Sequence, residues 1–555
     1  MRISKRGVVF LTVLAAVLIC VPVMAKTPTK SSTMFATSQK AVQMNSCYEC
    51  HTTVGDMHKG SIHKAVNCIS CHDNLAEHNE NPEVRPATDM SWDSCGTCHT
   101  DQMKSFSQMS YHRPARDDKS QPTNRIPIWY DKLMAPHGFT KEHGLTRPHH
   151  LMLLDQYIVD RAFGGRFQPK NGWEYVLETG KVWDILYDLE PTTNNQKVFK
   201  PQTATAANPV CISCKTTDLI LDWPYMGDPG TGATFDRTSN VVEMARFTNY
   251  GLNCNFCHDP HSAEPRIVRD ALIDALTNPE ASDNLYQQDP DRTPVRVVTL
   301  GERGWERKIA ILEKPDSRLM CAQCHVEYNC NPGTDPVSGT SIGFASRLTN
   351  HFPLKDVLGL YDHYYIKFRF ADFKNKFSGA WLWKGQHPEF ETYYESTHSK
   401  LGVGCADCHT PTLYDKRGAK QYTDHFAQSP RYMPKEACLT SGCHSTWTEE
   451  QAIYTMDSVK AYTKSRMRKA EFWLSTLIDR IREAEAAGVS ASALNDARVA
   501  HSKAHLLWEY WTAENSDGFH NPELARESIT QSITISQTTV DALDKAMVDI
   551  RTAKK

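Results

Sequence analysis

The sequence predicts a mainly α protein with little sheet, extensive coil and long helices at its C-terminal end. Three observations carry that expectation. A short cysteine-pair motif recurs between residues 47 and 444. Hydrophobic residues make up only 40% of 555 positions, so a large core needs apolar material besides side chains. After residue 446 the apolar residues fall at three- and four-residue spacing, with charged residues between them.

The motif comes first. Of 18 cysteines, fourteen form seven pairs that end on a histidine. They are Cys47/Cys50-His51, Cys68/Cys71-His72, Cys95/Cys98-His99, Cys254/Cys257-His258, Cys321/Cys324-His325, Cys405/Cys408-His409 and Cys438/Cys443-His444. The last pair is four residues apart instead of two. An eighth pair, Cys211/Cys214, ends on Lys215. Two cysteines that bind vinyl groups, followed by a ligand for iron, are the attachment signature of haem c. Eight covalently bound haem c groups are therefore expected, with His51, His72, His99, Lys215, His258, His325, His409 and His444 as proximal ligands. A disulfide framework does not explain why a metal ligand follows every pair. Half a zinc knuckle, a redox pair or a degenerate haem site is the alternative at Cys211/Cys214. Multiple haems also account for the fold class, because the cofactors form the core and coil with short helices wraps them.

Taken in order, residues 1–25 read as a signal peptide: Arg2, Lys5 and Arg6, an apolar run, then Val23-Met24-Ala25. An uncleaved anchor is the alternative, and a bulky Ile19 before Cys20 argues against a lipid anchor. The chain is expected in the periplasm. Residues 26–150 read as an N-terminal trihaem domain and 151–446 as a catalytic pentahaem domain, in which 265–320 look charged and irregular. Gly227–Gly232 lacks the lysine of a phosphate loop. A formal charge of −3 excludes a basic field for nucleic acid. Residues 447–555 form a long-helix region, with helices expected over 447–487, about 490–515 and 521–551. Stripes such as Trp473, Leu474, Leu477 and Leu506, Leu507, Trp508, Trp511 give each a buried face and suggest a homo-oligomer through these helices.

Seven bis-histidine haems need seven distal histidines, leaving ten of the 24 unused. His63, His112, His398, His425 and His520 are the first candidates. Ser61-Ile62-His63, Ser110-Tyr111-His112 and Ser396-Thr397-His398 share a form in which a short turn ends on a histidine. His58, His78, His143, His149, His150 and His261 come second. His501 and His505 lie four apart on a helix, but no third ligand for zinc is evident.

Lys215 marks one haem as different. An amine lacks the imidazole π system and tends to mark a haem whose opposite face is open to substrate. Two stretches suit a pocket over that face: Cys321-Ala-Gln-Cys-His325-Val-Glu327-Tyr328-Asn329-Cys330 and Lys384-Gly385-Gln386-His387-Pro388-Glu389. They resemble the CxQCHVEYY and KxQHPE patterns of the pentahaem cytochrome c nitrite reductase family. The resemblance continues through Ser396-Thr-His398, Tyr422-Thr-Asp-His425 and Gly518-Phe-His520-Asn-Pro, covering about residues 205–525. Three haem sites precede the shared part, as in the octahaem cytochrome c nitrite reductases.

The resemblance implies the site roles. Lys215 is the proximal ligand of the catalytic haem, and Tyr328 and His387 stand over its open face as proton donors. The family's marker for an upstream arginine is absent; Arg161 is the choice, with Arg166 second. A structural calcium falls on Glu327, Tyr328, Lys384 and Gln386, Lys384 giving its carbonyl only; such oxygen donors suit calcium. The octahaem subgroup joins its tyrosine to a cysteine two residues on, which implies a Tyr328–Cys330 thioether bond. The implied activity is six-electron reduction of nitrite to ammonium, with hydroxylamine as a further substrate and sulfite as a side reaction. Electrons come from a quinol dehydrogenase or a small cytochrome. The alternatives are a hydroxylamine oxidoreductase-like enzyme, which Lys215 argues against, a tetrathionate reductase-like enzyme, or a pure electron-transfer cytochrome.

Overall fold

The computed structural model describes residues 43–107, 129–134, 149–153, 208–414 (apart from 231, 241–242, 245–246, 249–250, 303 and 331) and 421–553. Arg161, Arg166, His112, His143 and the leader lie outside the described residues.

The attachment motifs determine their own local structure. Each closes a helical turn in which the ligand's N–H returns to the carbonyl of the first cysteine. The distances are 2.9 Å for His51 to Cys47, His72 to Cys68, His99 to Cys95 and His325 to Cys321, and 3.0 Å for His258 to Cys254. Cys438 and Cys443 reach the same closure despite two extra residues, with His444 N–H 3.1 Å from the Cys438 carbonyl. Gly442, at φ 88°, turns the added loop through the left-handed region. Lys215 differs, because its N–H bonds to Ile212 O at 2.8 Å. Polar residues start these turns. Asn67, Asn208, Asn253 and Asp316 each accept a backbone N–H two or three residues on.

The first three motifs lie among five short helices: α1 (Met44–Cys50), α2 (Thr52–Lys59), α3 (Leu75–Glu80), α4 (Trp92–Gly96) and α5 (Thr100–Phe106). Residues 265–320 are not irregular. They hold the largest sheet among the described residues, β1 (Arg266–Ile267), β2 (Val295–Leu300) and β3 (Arg307–Leu312), in antiparallel order β1-β3-β2, with α6 (Asp270–Thr277) after β1. Val295, Val297, Val298, Ile309 and Ile311 are β-branched and suit the pleat. Gly301 and Gly304, both at positive φ, turn the hairpin. β3 is buried on both faces, Ile309 and Ile311 entering one apolar cluster and Ala310 and Leu312 another.

Three long helices end the chain: α7 (Glu449–Ala487), α8 (Ala491–Ala513) and α9 (Pro522–Ala553). Thr448 and Gln451 cap α7 reciprocally. Gly488, at φ 89°, ends it, and Ser490 starts α8. The apolar stripes expected from the sequence face inward, Leu474, Leu477, Leu506, Leu507, Trp508 and Trp511 all being buried. The Trp508 indole donates to Glu471 at 3.4 Å and the Trp511 indole to Ser528 at 2.8 Å, tying the three helices together. The same core takes in Leu382 and Trp383, so the helical tail braces the segment that leads into Gln386 and His387. Among the described residues no helix is long and apolar enough to cross a membrane.

Candidate haem array and catalytic site

Each of the seven proximal histidines faces a second histidine. The ring centres are 6.0 Å apart for His51–His78, 6.4 Å for His72–His261 and 6.1 Å for His99–His63. They are 6.4 Å apart for His258–His425, 6.4 Å for His325–His149, 6.3 Å for His409–His520 and 6.2 Å for His444–His398. Two metal–nitrogen bonds of about 2 Å, plus about 1.1 Å from each nitrogen to its ring centre, separate two axial imidazoles by about 6.2 Å. His351 and His363 provide the contrast. Their Nε2 atoms meet at 2.8 Å and their ring centres at 5.0 Å, a hydrogen bond with no room for iron.

Several of the fourteen rings are also held by their other nitrogen. Nδ1–H donates to a backbone carbonyl in His63 (Pro260, 3.0 Å), His78 (Val84, 2.7 Å), His409 (Gln428, 2.9 Å) and His425 (Thr423, 2.8 Å). Carboxylates serve His325 (Glu389, 3.3 Å) and His520 (Glu514, 2.9 Å). Such contacts leave Nε2 as the free lone pair and fix the ring plane, the usual support of a metal-bound imidazole. Burial keeps His72, His258 and His409 neutral, their pKa values pushed down to about 4.

All fourteen rings, the cysteines of seven motifs and Lys215 line one continuous cavity of about 3600 Å³. An ordinary small-molecule site has roughly 300–1,000 Å³. The volume, the paired imidazoles and the paired cysteines fit several haems. The motifs also touch in sequence. Cys68 meets Cys47, Cys95 meets Cys254, Cys324 meets Cys214 and Cys321 meets Cys405 at hydrogen-bond range. Cys71 with Cys95, Cys257 with Cys321 and Cys408 with Cys438 are close enough to act on each other's ionisation. The sites therefore run 47, 68, 95, 254, 321, and from there branch to 211 and to 405 and 438.

Of the five first-choice distal histidines, His63, His398, His425 and His520 each meet a proximal ring. The remaining partners are His78, His149 and His261, and His112 lies outside the described residues. His58 instead meets the Tyr48 hydroxyl at 2.7 Å, and His150 packs edge-on against Trp92. His501 and His505 are fully buried in α8, and no three metal-binding side chains gather there or elsewhere among the described residues.

At the Lys215 end, Lys215 is 5% exposed and Tyr328 is 3% exposed. The Tyr328 ring lies 6.3 Å from that of His387 and 5.8 Å from Phe352. Burial, followed by Cys211, Cys330 and Cys214, holds the Tyr328 phenol well above its usual pKa, so it stays protonated. Cys330 is buried, with its thiol beside that of Cys211. Behind Tyr328, the Gln386 N–H donates to Glu327 at 2.8 Å and the Glu327 N–H to Glu391 at 3.1 Å. Lys384 turns its ammonium to Glu509 at 3.1 Å, both groups fully buried. Burial raises the pKa of Glu327 and Glu391, and pushes Asp372 up to about 7. The carboxyl groups of Glu327, Glu391, Asp372 and Glu509 outnumber the one ammonium of Lys384 there, and their donors are oxygens, as calcium prefers.

Cysteine pairs spaced for haem, paired imidazoles and a long-helix tail define a multihaem c-type cytochrome. The sequence matches the Cytochrome c552 family over residues 170–554. The chain belongs to that family, and carries covalently bound haem c and an additional N-terminal region. It is 28% identical to the cytochrome c nitrite reductase subunit NrfA of Nitratidesulfovibrio vulgaris over 383 residues, which is 67% of this chain and 66% of that protein. It is 31% identical to cytochrome c-552 of Haemophilus ducreyi over 384 residues, 67% of this chain and 64% of the relative. The chain thus spans just under two thirds of the length of these relatives. The catalytic subunit of the nitrite reductase of Desulfovibrio desulfuricans, described with two calcium sites, superposes with a TM-score of 0.51 at 21% identity, covering 83% of this chain and 87% of that one. That likeness establishes the fold.

Proposed function

We propose that the chain is a periplasmic octahaem nitrite reductase that converts nitrite to ammonium at the Lys215 site. The observation that carries it is the allocation of histidines. Seven proximal histidines each face an imidazole, whereas Tyr328, with His387 beside its ring, packs among the attachment cysteines of the lysine site. A haem held by Cys211, Cys214 and Lys215 would supply a substrate-binding iron and electrons one at a time. The chain's own residues do the rest. Lys215 holds the proximal side. Tyr328, kept protonated by burial, donates protons, and His387 hydrogen-bonds substrate oxygen. Arg161 is proposed to hold the anion.

Nitrite takes up six electrons and eight protons to give ammonium and two waters. Haems on the contiguous line of sites from Cys47 to Cys321 would deliver the electrons. Calcium at Glu327, Tyr328, Lys384 and Gln386 would fix the loops that carry Tyr328 and His387. The Tyr328–Cys330 thioether is part of the proposal, as are hydroxylamine reduction, the donor, the trihaem and pentahaem division, and assembly through the C-terminal helices. Steady-state assay with reduced viologen is expected to yield ammonium from nitrite. A protein with full haem content and no ammonium would overturn the proposal. A pure electron wire would instead show only low-spin haem, unaltered by cyanide.

A further inference from the structure

Arg269 is the residue directly before α6 and is 0% exposed. A buried guanidinium is costly unless it is paired. Arg266, three residues earlier, is paired: it donates to Asp259 at 2.8 Å and to the Asn255 carbonyl. Arg269 is not so provided for. Its Nη2 donates to Val210 O at 3.4 Å, and its Nη1 lies 3.6 Å from Asp270 Oδ1. Nε and Nη1 have no hydrogen-bond acceptor. Asp270 is already shared, its Oδ2 accepting from Trp223 at 3.3 Å and Asn350 at 3.1 Å.

What Arg269 does face is the lysine site. Its Cζ lies 5.4 Å from the ring centre of Phe352, the ring that packs on Tyr328. Its charge acts on Cys214, Cys324 and Tyr328. Val210, its one carbonyl partner, directly precedes Cys211.

We propose that Arg269 is a positioning residue of the Lys215 site, a fixed positive charge that seats Phe352 against Tyr328 and raises the reduction potential of the haem held by Cys211 and Cys214. The inference rests on the assignment of a lysine-ligated haem to that pair. Arginine keeps its charge at every working pH. A fixed cation in a dry site favours the reduced, less positive haem. The branch that ends at this haem is then energetically downhill for electrons.

The test is a spectroelectrochemical titration of the holoprotein without substrate, following the high-spin signal. Arg269→Gln is expected to move the potential of that haem to more negative values, with haem content and the other potentials unchanged. Nitrite turnover is expected to fall about tenfold, below the effect of deleting a direct transition-state donor. Arg269→Lys is expected to restore the potential. An unchanged potential in Arg269→Gln, or no recovery in Arg269→Lys, overturns the proposal. Should Arg269→Gln fail to accumulate, Asp270→Asn carries the test with the opposite sign. It removes the shared counter-charge and should raise the same potential; no rise overturns the proposal. Because the potential is read without nitrite, failure of the wild type to make ammonium would overturn the proposed activity and leave this test intact.

Discussion

Tyr328 separates chemistry from scaffolding at the scale of single residues. Its ring is packed by Phe352 and lies beside His387, so replacing it by phenylalanine removes the hydroxyl, together with the proposed bond to Cys330, and leaves the packing. Tyr328→Phe is expected to lower nitrite turnover about a hundredfold, the range of a positioned proton donor. Haem content, read from the pyridine haemochrome spectrum, should be unchanged. Turnover equal to wild type would take Tyr328 out of the mechanism. The residues differ in how legible they were. A proximal histidine stands next to its cysteines, so the local motif names it. A distal histidine is chosen by the fold: His149 meets His325 and His261 meets His72 across long stretches of chain, and no local pattern marks them. His398 and His63 were found because a short turn before a motif aims a ring at a neighbouring site. Arg269 gave no sequence signal, since the fold alone sets it against Phe352 and the lysine site.

Among the elements, the helical tail was legible and the sheet was not. Helices α7 to α9 fall within two residues of the ranges expected, because caps and apolar stripes are local signals. β1 to β3 lie in a charged segment whose alternation is hidden, β3 being buried on both faces by different clusters. One buried group makes the tail sensitive to pH. Glu471 in α7 is 3% exposed, and burial pushes its pKa up to about 8, with the Trp508 indole opposing. The folded state binds this proton more tightly than the unfolded chain, whose glutamate titrates near 4.3. Its neutral form is therefore favoured below that value, and stability is lost as pH rises from there through about 8. Glu471→Gln should abolish this loss, stabilising the helices by on the order of a few kcal/mol at pH 9 and much less at pH 5. Thermal melts followed at 222 nm check it; an equal effect at both pH values would show that Glu471 does not titrate in this range.

On the scale of the whole molecule, the tail does more than brace the site, because α7 also carries exposed aromatic side chains. Tyr454, Tyr462 and Phe472 on α7 are 73%, 49% and 48% exposed. At 100° per residue, Tyr454 and Phe472 point the same way and Tyr462 stands about 80° from them, so the three occupy one side of a helix. Scattered apolar side chains on a surface need no explanation, but a stripe along one helix face does. A second copy of the chain presenting the same stripe would cover it by twofold symmetry, and the interface would be isologous. The double variant Tyr454→Glu, Phe472→Glu places two charges on this face without touching the buried stripe of Leu474 and Leu477. It is expected to lower the molar mass in light scattering to that of a single chain, with helix content and haem stoichiometry unchanged. An oligomer of undiminished mass would show that assembly uses a different face.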